Sequence, residues 1–337
     1  MMSNKLTFDS VLLIGFGGPT SGCCQRNNPC LGLGHESPEA YCFVSEILAR
    51  RMKGSSQPDR NRVDQVVAHY TELGGFSPFN QLTSLQASAL SSEIGLPVFT
   101  GMRNWKPFLS ETLSEMIENG HKKVLGIILS PFQCFTSWEE YQQDVDEALG
   151  KLSAPNNRTL DISINYMSGW SSDYGYISSV TEQIMASCEH WSENRLNSAH
   201  LIFTAHSIPE VAAKRSPYSK QFEKTSELVA GQLGKSFYLA YQSSPDTSPI
   251  PWTGPDISEL IPKLDRSIST DIIVMPIGFV CDHVEVLYDL DQEAKDLAED
   301  NGFHFKRVPT VGASDMFIQF LAQKSYSENE AYFVDAV

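Results

Sequence analysis

The chain has 337 residues, 41% of them hydrophobic, enough to bury the cores of two moderate α/β domains or one large one. Its 41 acidic against 25 basic side chains give a net charge of -16. That balance excludes a broad phosphate-backbone footprint, so nucleic acid is not an expected partner, and it favours cationic partners, metal ions among them.

The opening MMSNKLTFDSVLLIGF meets Asp9 before a very short apolar run and lacks the layout of a signal peptide. No run approaches the ~18 apolar residues of a membrane span. A soluble cytoplasmic protein is expected. VLLIGF at 11–16 reads as a buried strand, and GGPTSG turns the chain after it. GFGGP has neither the GxGxxG spacing nor the GxxxxGK[ST] signature, so a nucleotide site is not expected.

Seven cysteines stand at 23, 24, 30, 42, 134, 188 and 281. Their scatter fits reduced thiols better than a disulfide framework. Four crowd into residues 23–42, but CC-x5-C-x11-C has no tight CxxC pair; free thiols and a soft-metal site both remain open there.

Residues 38–52 carry a helical pattern through Phe43, Ile47 and Leu48. A second follows GGFSPFNQ through Leu82, Leu85, Ala89 and Leu90 and leads into the strand LPVFTGMR. LSETLSEMIENG forms a helix stopped by Gly120, and the strand KVLGIILSP comes next. This alternation predicts parallel βα units. An acidic helix over 138–149 ends in a Pro, Asn and Ser-rich break, placing a domain boundary near 160–170.

The second half repeats the rhythm with the strand ISINYM, a helix over 173–191, the strand HLIFTA, a helix near 218–233, and the strands SFYLAYQS and DIIVMPIGF. Three units follow: an N-terminal Rossmann-like domain at 1–165, a C-terminal one at 166–314, and a helix and acidic tail at 315–337 packing back on the first. Asp146 and Asp173 read as solvent-face or helix-end charges.

The chemistry concentrates in GFVCDHVEVLYDLDQEA at 278–294. On a helix over 283–298, Glu285, Asp289 and Glu293 fall at i, i+4 and i+8, with Leu287, Leu290, Ala294 and Leu297 opposite. Like charges four apart cost a few tenths of a kcal/mol, so the row needs water, a cation or a proton to relieve it. His206 in FTAHSIP stands near the end of a strand, and an imidazole is the side chain suited to accept a proton near neutrality. His283 is the poorer base, since two residues before Glu285 it faces away on a helix. Rings in NWKPF, SPFQCFTSWEEY and SGWSSDYGY fall near strand ends, where they can pack a flat conjugated ligand.

Taken in order, VLLIGFGGP, GGFSPFNQ, GMRNWKPF, LSPFQCFTSWEEY, FTAHSIP and PIGFVCDHVEVLYDLDQEA resemble the ferrochelatase family across most of the chain. The resemblance implies two chelatase-type, Rossmann-like domains with four-stranded parallel sheets flanked by helices. It also implies insertion of Fe²⁺, a substrate, into a porphyrin in heme biosynthesis, with no prosthetic group.

By the same resemblance His206 and Glu285 are the catalytic and metal-binding pair, and Asp289 and Glu293 continue an acidic path for metal or protons. Phe16, Arg103, Ser130, Thr136 and Tyr141 are the candidate porphyrin contacts, Arg103 toward a propionate. The segments YQSSPDTSPIPWTGPDISE and GMRNWKP look more like the branch that uses coproporphyrin III than the one that uses protoporphyrin IX. Transient contact with downstream heme-pathway enzymes is then expected.

The pattern departs from the family in three places. Phe16 stands where some coproporphyrin-using relatives have a tyrosine able to approach the metal. No cysteine follows Cys281, so the [2Fe-2S] cluster that some relatives hold near the C-terminus is not expected. The insertion GCCQRNNPCLGLG at 22–34 is unlike the usual short first loop.

Overall fold

The computed structural model describes residues 6–23, 30–51, 58–154, 159–245 and 248–331. Cys24 and the last part of the acidic tail lie outside them.

Among the described residues, eight strands form two four-stranded, all-parallel sheets. The first is built from β1 (Ser10–Gly15), β2 (Val98–Met102), β3 (Lys123–Ile128) and β4 (Ser163–Tyr166), in the order β2-β1-β3-β4. The second is built from β5 (His200–His206), β6 (Tyr238–Gln242), β7 (Asp271–Met275) and β8 (His304–Arg307), in the order β6-β5-β7-β8. The central strands β1, β5 and β7 are buried almost throughout. Helices cover both faces of a parallel sheet, so these strands read as continuous apolar runs and not as alternating ones.

Two strand assignments differ from the sequence reading. ISINYM pairs with β3 and closes the first sheet as β4, instead of opening the second half. The fourth strand of the second sheet is HFKR, β8, paired with β7. Both are four-residue edge strands with half-exposed side chains, so neither carries the apolar run that marks the centre of a sheet.

The largest apolar cluster runs through both halves, joining Val11 and Leu13 of the first sheet to Leu201, Phe203 and Ile273 of the second. The C-terminal helix Asp315–Ala331 lies against the helices Phe79–Ile94 and Tyr174–Ser187. There Phe317 and Phe320 meet Trp170 and Tyr176 at centroid separations of 6.0 to 6.4 Å. Gly175 makes this approach possible, because a Cβ there would stand 2.6 Å from the Phe320 ring. Asp173, just before that helix, pairs with Lys324 at 2.9 Å, which accounts for it as a helix-end charge.

Gln86 ties the first half to the turn that leads into the acidic segment, its amide donating to the Gly312 carbonyl at 2.8 Å and the Val280 carbonyl at 3.3 Å. The helix Arg60–Glu72, which the sequence reading did not assign, reaches the short helix Val284–Tyr288. Across that contact the His69 and Tyr288 rings stack at 3.8 Å and 5°. These contacts hold helices of the first half against the acidic segment of the second.

Candidate active site

His206 is the last residue of β5, where an open α/β sheet presents its ligand-binding edge. Two backbone contacts fix it. Its Nδ1 lies against the Ser207 carbonyl, and the Tyr218 hydroxyl donates to the His206 carbonyl at 3.0 Å. With Nδ1 occupied, Nε2 faces Glu285 Oε2 at 3.7 Å; both side chains are partly exposed, 29% and 47%. The expected pair is thus assembled from two segments nearly eighty positions apart in the chain.

Gly278 sets the spacing between those segments. A Cβ on it would lie 2.8 Å from both Cα and Cβ of Ala205, the residue before His206. Its amide donates to the Thr204 carbonyl at 3.0 Å. Only a residue without a side chain lets the approach to the acidic helix lie directly on β5.

The helix bearing the acidic row is not uniform. Val284–Tyr288 is α-helical, Asp289–Ala294 is π-helical and Lys295–Asp300 is α-helical again. Four residues overshoot a turn of α-helix but fall short of a wider π-turn, so the two deviations offset along the row. Glu293 returns toward the line of Glu285 where a regular α-helix would have carried it further round.

Asp289 is a strongly perturbed carboxyl. Burial, opposed by a hydrogen bond from Ser243 and reinforced by the charges of Glu285 and Glu293, pushes its pKa up to about 8. Gln242, beside His206 in the sheet register, donates to the Glu285 carbonyl at 3.2 Å and makes a long contact of 3.5 Å with Asp289 Oδ2. Ser243 has φ 61°, a left-handed backbone that a serine seldom adopts, and its hydroxyl donates to the same Asp289 oxygen.

Opposite the row, Arg307 grips the segment from its other side. Its guanidinium bonds Asp291 through Nε at 2.6 Å and Nη2 at 2.8 Å, and Asp282 through Nη1 at 2.9 Å. Asp282 also accepts from the Thr310 amide at 3.2 Å. These bonds fasten the segment before the helix and its π-helical part to the end of β8.

His283 corrects the sequence reading. It is the residue before the helix, with extended backbone, and does not face away on a helical surface. Desolvation depresses its pKa, with Glu285 opposing and His206 reinforcing that shift, so it belongs to the same electrostatic cluster. Its ring packs against Phe279 at 4.7 Å and Phe79 at 6.3 Å. Tyr70, also missed, is held protonated by burial and by the Glu285 charge. Its signal was the spacing of Val63, Val67 and Tyr70 just before GG, a helix that delivers its last ring to the site.

The five expected porphyrin contacts are placed differently from one another. Phe16 follows β1, is 37% exposed, and meets Phe43 edge-on at 6.4 Å. Phe43, itself fully buried, also braces Tyr70 at 5.9 Å, so it backs both Phe16 and Tyr70, and Tyr70 lies within the field of Glu285. Thr136 is exposed on a π-helical turn, Phe135–Glu139. The Ser130 hydroxyl turns into its own loop, donating to the Phe132 carbonyl at 3.2 Å.

Arg103 is already committed within the protein. It pairs with Glu140 and Asp144, each at 2.6 Å, and lies over the Tyr141 ring at 5.3 Å. Its side chain is 11% exposed, so a propionate would have to displace one of those carboxylates. Tyr141 is buried with Val145 and Leu113 beneath it, and burial raises its phenol pKa.

Similarity to known proteins agrees with this arrangement. The SirB protein of Bacillus subtilis, solved with Fe³⁺, superposes with a TM-score of 0.55 over 96% of this chain and 97% of its own, at 9% identity. That likeness places the fold among α/β chelatase structures. In sequence, the chain matches the ferrochelatase family over residues 9–328 and belongs to that family. It is therefore an enzyme of heme biosynthesis, a porphyrin metal chelatase whose substrates are a porphyrin and iron.

A coproporphyrin III ferrochelatase of Mycobacterium ulcerans is 32% identical over 317 residues, covering 93% of this chain and 84% of the relative. A ferrochelatase of Rhodopirellula baltica is 29% identical over 329 residues, covering 95% and 86%. No helix among the described residues is long and apolar enough to cross a membrane.

Proposed function

We propose that this enzyme inserts Fe²⁺ into coproporphyrin III to form coproheme, with His206 and Glu285 at the reacting centre. The observation that carries the site assignment is the approach of His206 Nε2 to Glu285 Oε2, 3.7 Å, at the end of β5. The choice of porphyrin is supported by the relatives from Mycobacterium ulcerans and Corynebacterium glutamicum, 32% and 31% identical, named for coproporphyrin III. Buried cysteines at 134, 188 and 281 that are not joined in disulfides support a reducing, cytoplasmic setting.

Metal entry requires two pyrrole protons to leave. His206 accepts them one at a time through Nε2, passing the first to water at its partly exposed edge before the second arrives, and the neighbouring Glu285 carboxylate stabilises the imidazolium formed each time. Phe16 and Tyr70, backed by the buried Phe43, pack the macrocycle edge. Asp289 holds a proton at neutral pH and releases it as positive charge arrives, so the acidic row exchanges protons for a dication without leaving carboxylate charges crowded together. Oxygen donors suit the passage of ferrous iron because they bind it less tightly than thiolates would.

The test is an anaerobic insertion assay with Fe²⁺, comparing coproporphyrin III with protoporphyrin IX. A higher kcat/KM for coproporphyrin III is expected, and preference for protoporphyrin IX refutes the substrate choice. His206→Ala should lower kcat by at least ~10²-fold, the scale of positioned acid–base catalysis, while porphyrin binding followed by fluorescence quenching persists. Near-wild-type insertion by that variant removes His206 from the centre.

A further inference from the structure

His206 is held by a buried phenol that the chemistry above does not use. The Tyr218 hydroxyl donates to the His206 carbonyl at 3.0 Å, and the same peptide unit is caught at its other end, where the Ser207 amide donates to the Gln242 carbonyl at 2.8 Å. The next peptide is held twice as well. Its amide, on Ile208, donates to Thr253 Oγ1 at 3.1 Å, and its carbonyl, on Ser207, accepts from His206 Nδ1. A carbonyl can only accept, so in the neutral imidazole Nδ1 carries the proton and Nε2 keeps the lone pair, on the side of Glu285.

Tyr218 links this arrangement to the first half of the chain. It opens the helix Tyr218–Leu233 and is 5% exposed, with its ring edge-on to the fully buried Phe132 at 5.7 Å. Burial raises the phenol's pKa well above its ordinary value, so the hydroxyl remains a donor. Three residues on, Gln221 and Gln133 form a reciprocal pair: Gln221 Oε1 accepts from the Gln133 backbone amide at 2.7 Å, and Gln221 Nε2 donates to Gln133 Oε1 at 3.0 Å. Phe132 also meets Phe222 at 5.7 Å.

Phe132 and Gln133 belong to the loop after β3, the segment that carries Ser130 and Thr136. The loop expected to meet the porphyrin is therefore fastened to the same helical turn whose first residue bonds the His206 carbonyl.

Given His206 as the proton acceptor, we propose that Tyr218 is a positioning residue for metal insertion: its hydroxyl fixes the tautomer and aim of the imidazole, and the Gln133–Gln221 pair keeps that hydroxyl in register with the porphyrin loop. Without the Tyr218 bond the His206–Ser207 peptide is free to tilt and the Ser207 carbonyl turns from Nδ1. The two neutral tautomers then mix, and the one protonated at Nε2 has no lone pair there to offer a pyrrole proton.

Tyr218→Phe removes one oxygen and keeps the ring against Phe132. Its kcat for anaerobic Fe²⁺ insertion should fall about 5- to 10-fold, the worth of one hydrogen bond, while the porphyrin Kd from fluorescence quenching stays at the wild-type value. Nitrogen NMR of protein carrying isotope-labelled histidine, with His206→Ala assigning the signal, should show the Nδ1–H tautomer in wild type and a mixture of both in Tyr218→Phe. Gln221→Leu breaks the amide pair but leaves the phenol, and should give the same mixing to a smaller extent; the double variant should lose less activity than the product of the two single losses. Tyr241→Phe removes another buried tyrosine's hydroxyl, one bonded to Ser219 of the same helix at 3.1 Å, and should leave the His206 signal unmixed. Wild-type kcat or an unmixed signal in Tyr218→Phe overturns the positioning role, as does equal mixing in Tyr241→Phe or a loss confined to porphyrin affinity. The spectrum needs no turnover, so iron insertion by His206→Ala would remove the catalytic reading while the tautomer still reports whether Tyr218 orients the ring.

Discussion

Replacing Asp289 by Asn isolates the electrostatic cost of the acidic row. In the folded protein this carboxyl titrates at about 8, against 3.8 for the ordinary group. A raised carboxyl pKa means that the fold binds the proton more tightly than the unfolded chain does. Its contribution to stability is complete below about pH 4 and is lost as pH rises to about 8. Four pKa units at ~1.4 kcal/mol each set a ceiling near 6 kcal/mol.

Asp289 keeps partial access to water, and an effective dielectric nearer 20 than 4 leaves about 2–3 kcal/mol of that. Asn keeps the shape and the acceptor for Ser243 but cannot ionise. Urea unfolding of both proteins at pH 5, 7 and 9 should show Asp289→Asn gaining about 2–3 kcal/mol relative to wild type across that range. Taking the difference between the two removes the titration of other groups. A difference that stays constant from pH 5 to 9 would refute the assignment of a buried, charge-crowded carboxyl.

Gly278→Ala forces a methyl into the Ala205 backbone and should cost about 1–3 kcal/mol in a chemical denaturation curve. It should also lower kcat in excess of that loss under conditions where the variant is fully folded, because His206 and Glu285 are pushed apart; unchanged kcat would show that their spacing is not critical. Glu293→Gln should raise the apparent KM for Fe²⁺ while the porphyrin KM holds, and superimposable iron titrations would remove Glu293 from the metal path. Arg307→Ala strands Asp282 and Asp291 without their cation and should destabilise by about 2–4 kcal/mol; a change under 1 kcal/mol would mean that the clamp is marginal.

The α/β alternation and the central strands were legible in the chain because each has a local cause, whereas the pairing of His206 with Glu285 rested on the family resemblance. A parallel strand covered on both faces is apolar through its middle, as the runs VLLI, LIF and IIVM of β1, β5 and β7 are. His206 ends such a strand, and the acidic row recurs every four residues with apolar positions between.

What the tertiary structure alone decided concerns partners far away in sequence. Edge strands β4 and β8 have weak patterns, so only pairing assigned ISINYM to the first sheet and HFKR to the second. Arg103 looks available for a substrate carboxylate until Glu140 and Asp144 are folded against it. Periodicity turned His283 away from the site, and an extended backbone turned it back. Hydrophobic patterning records which face of a segment is buried, but a charge or proton is governed by whatever the fold brings beside it, and that is fixed only when distant segments meet.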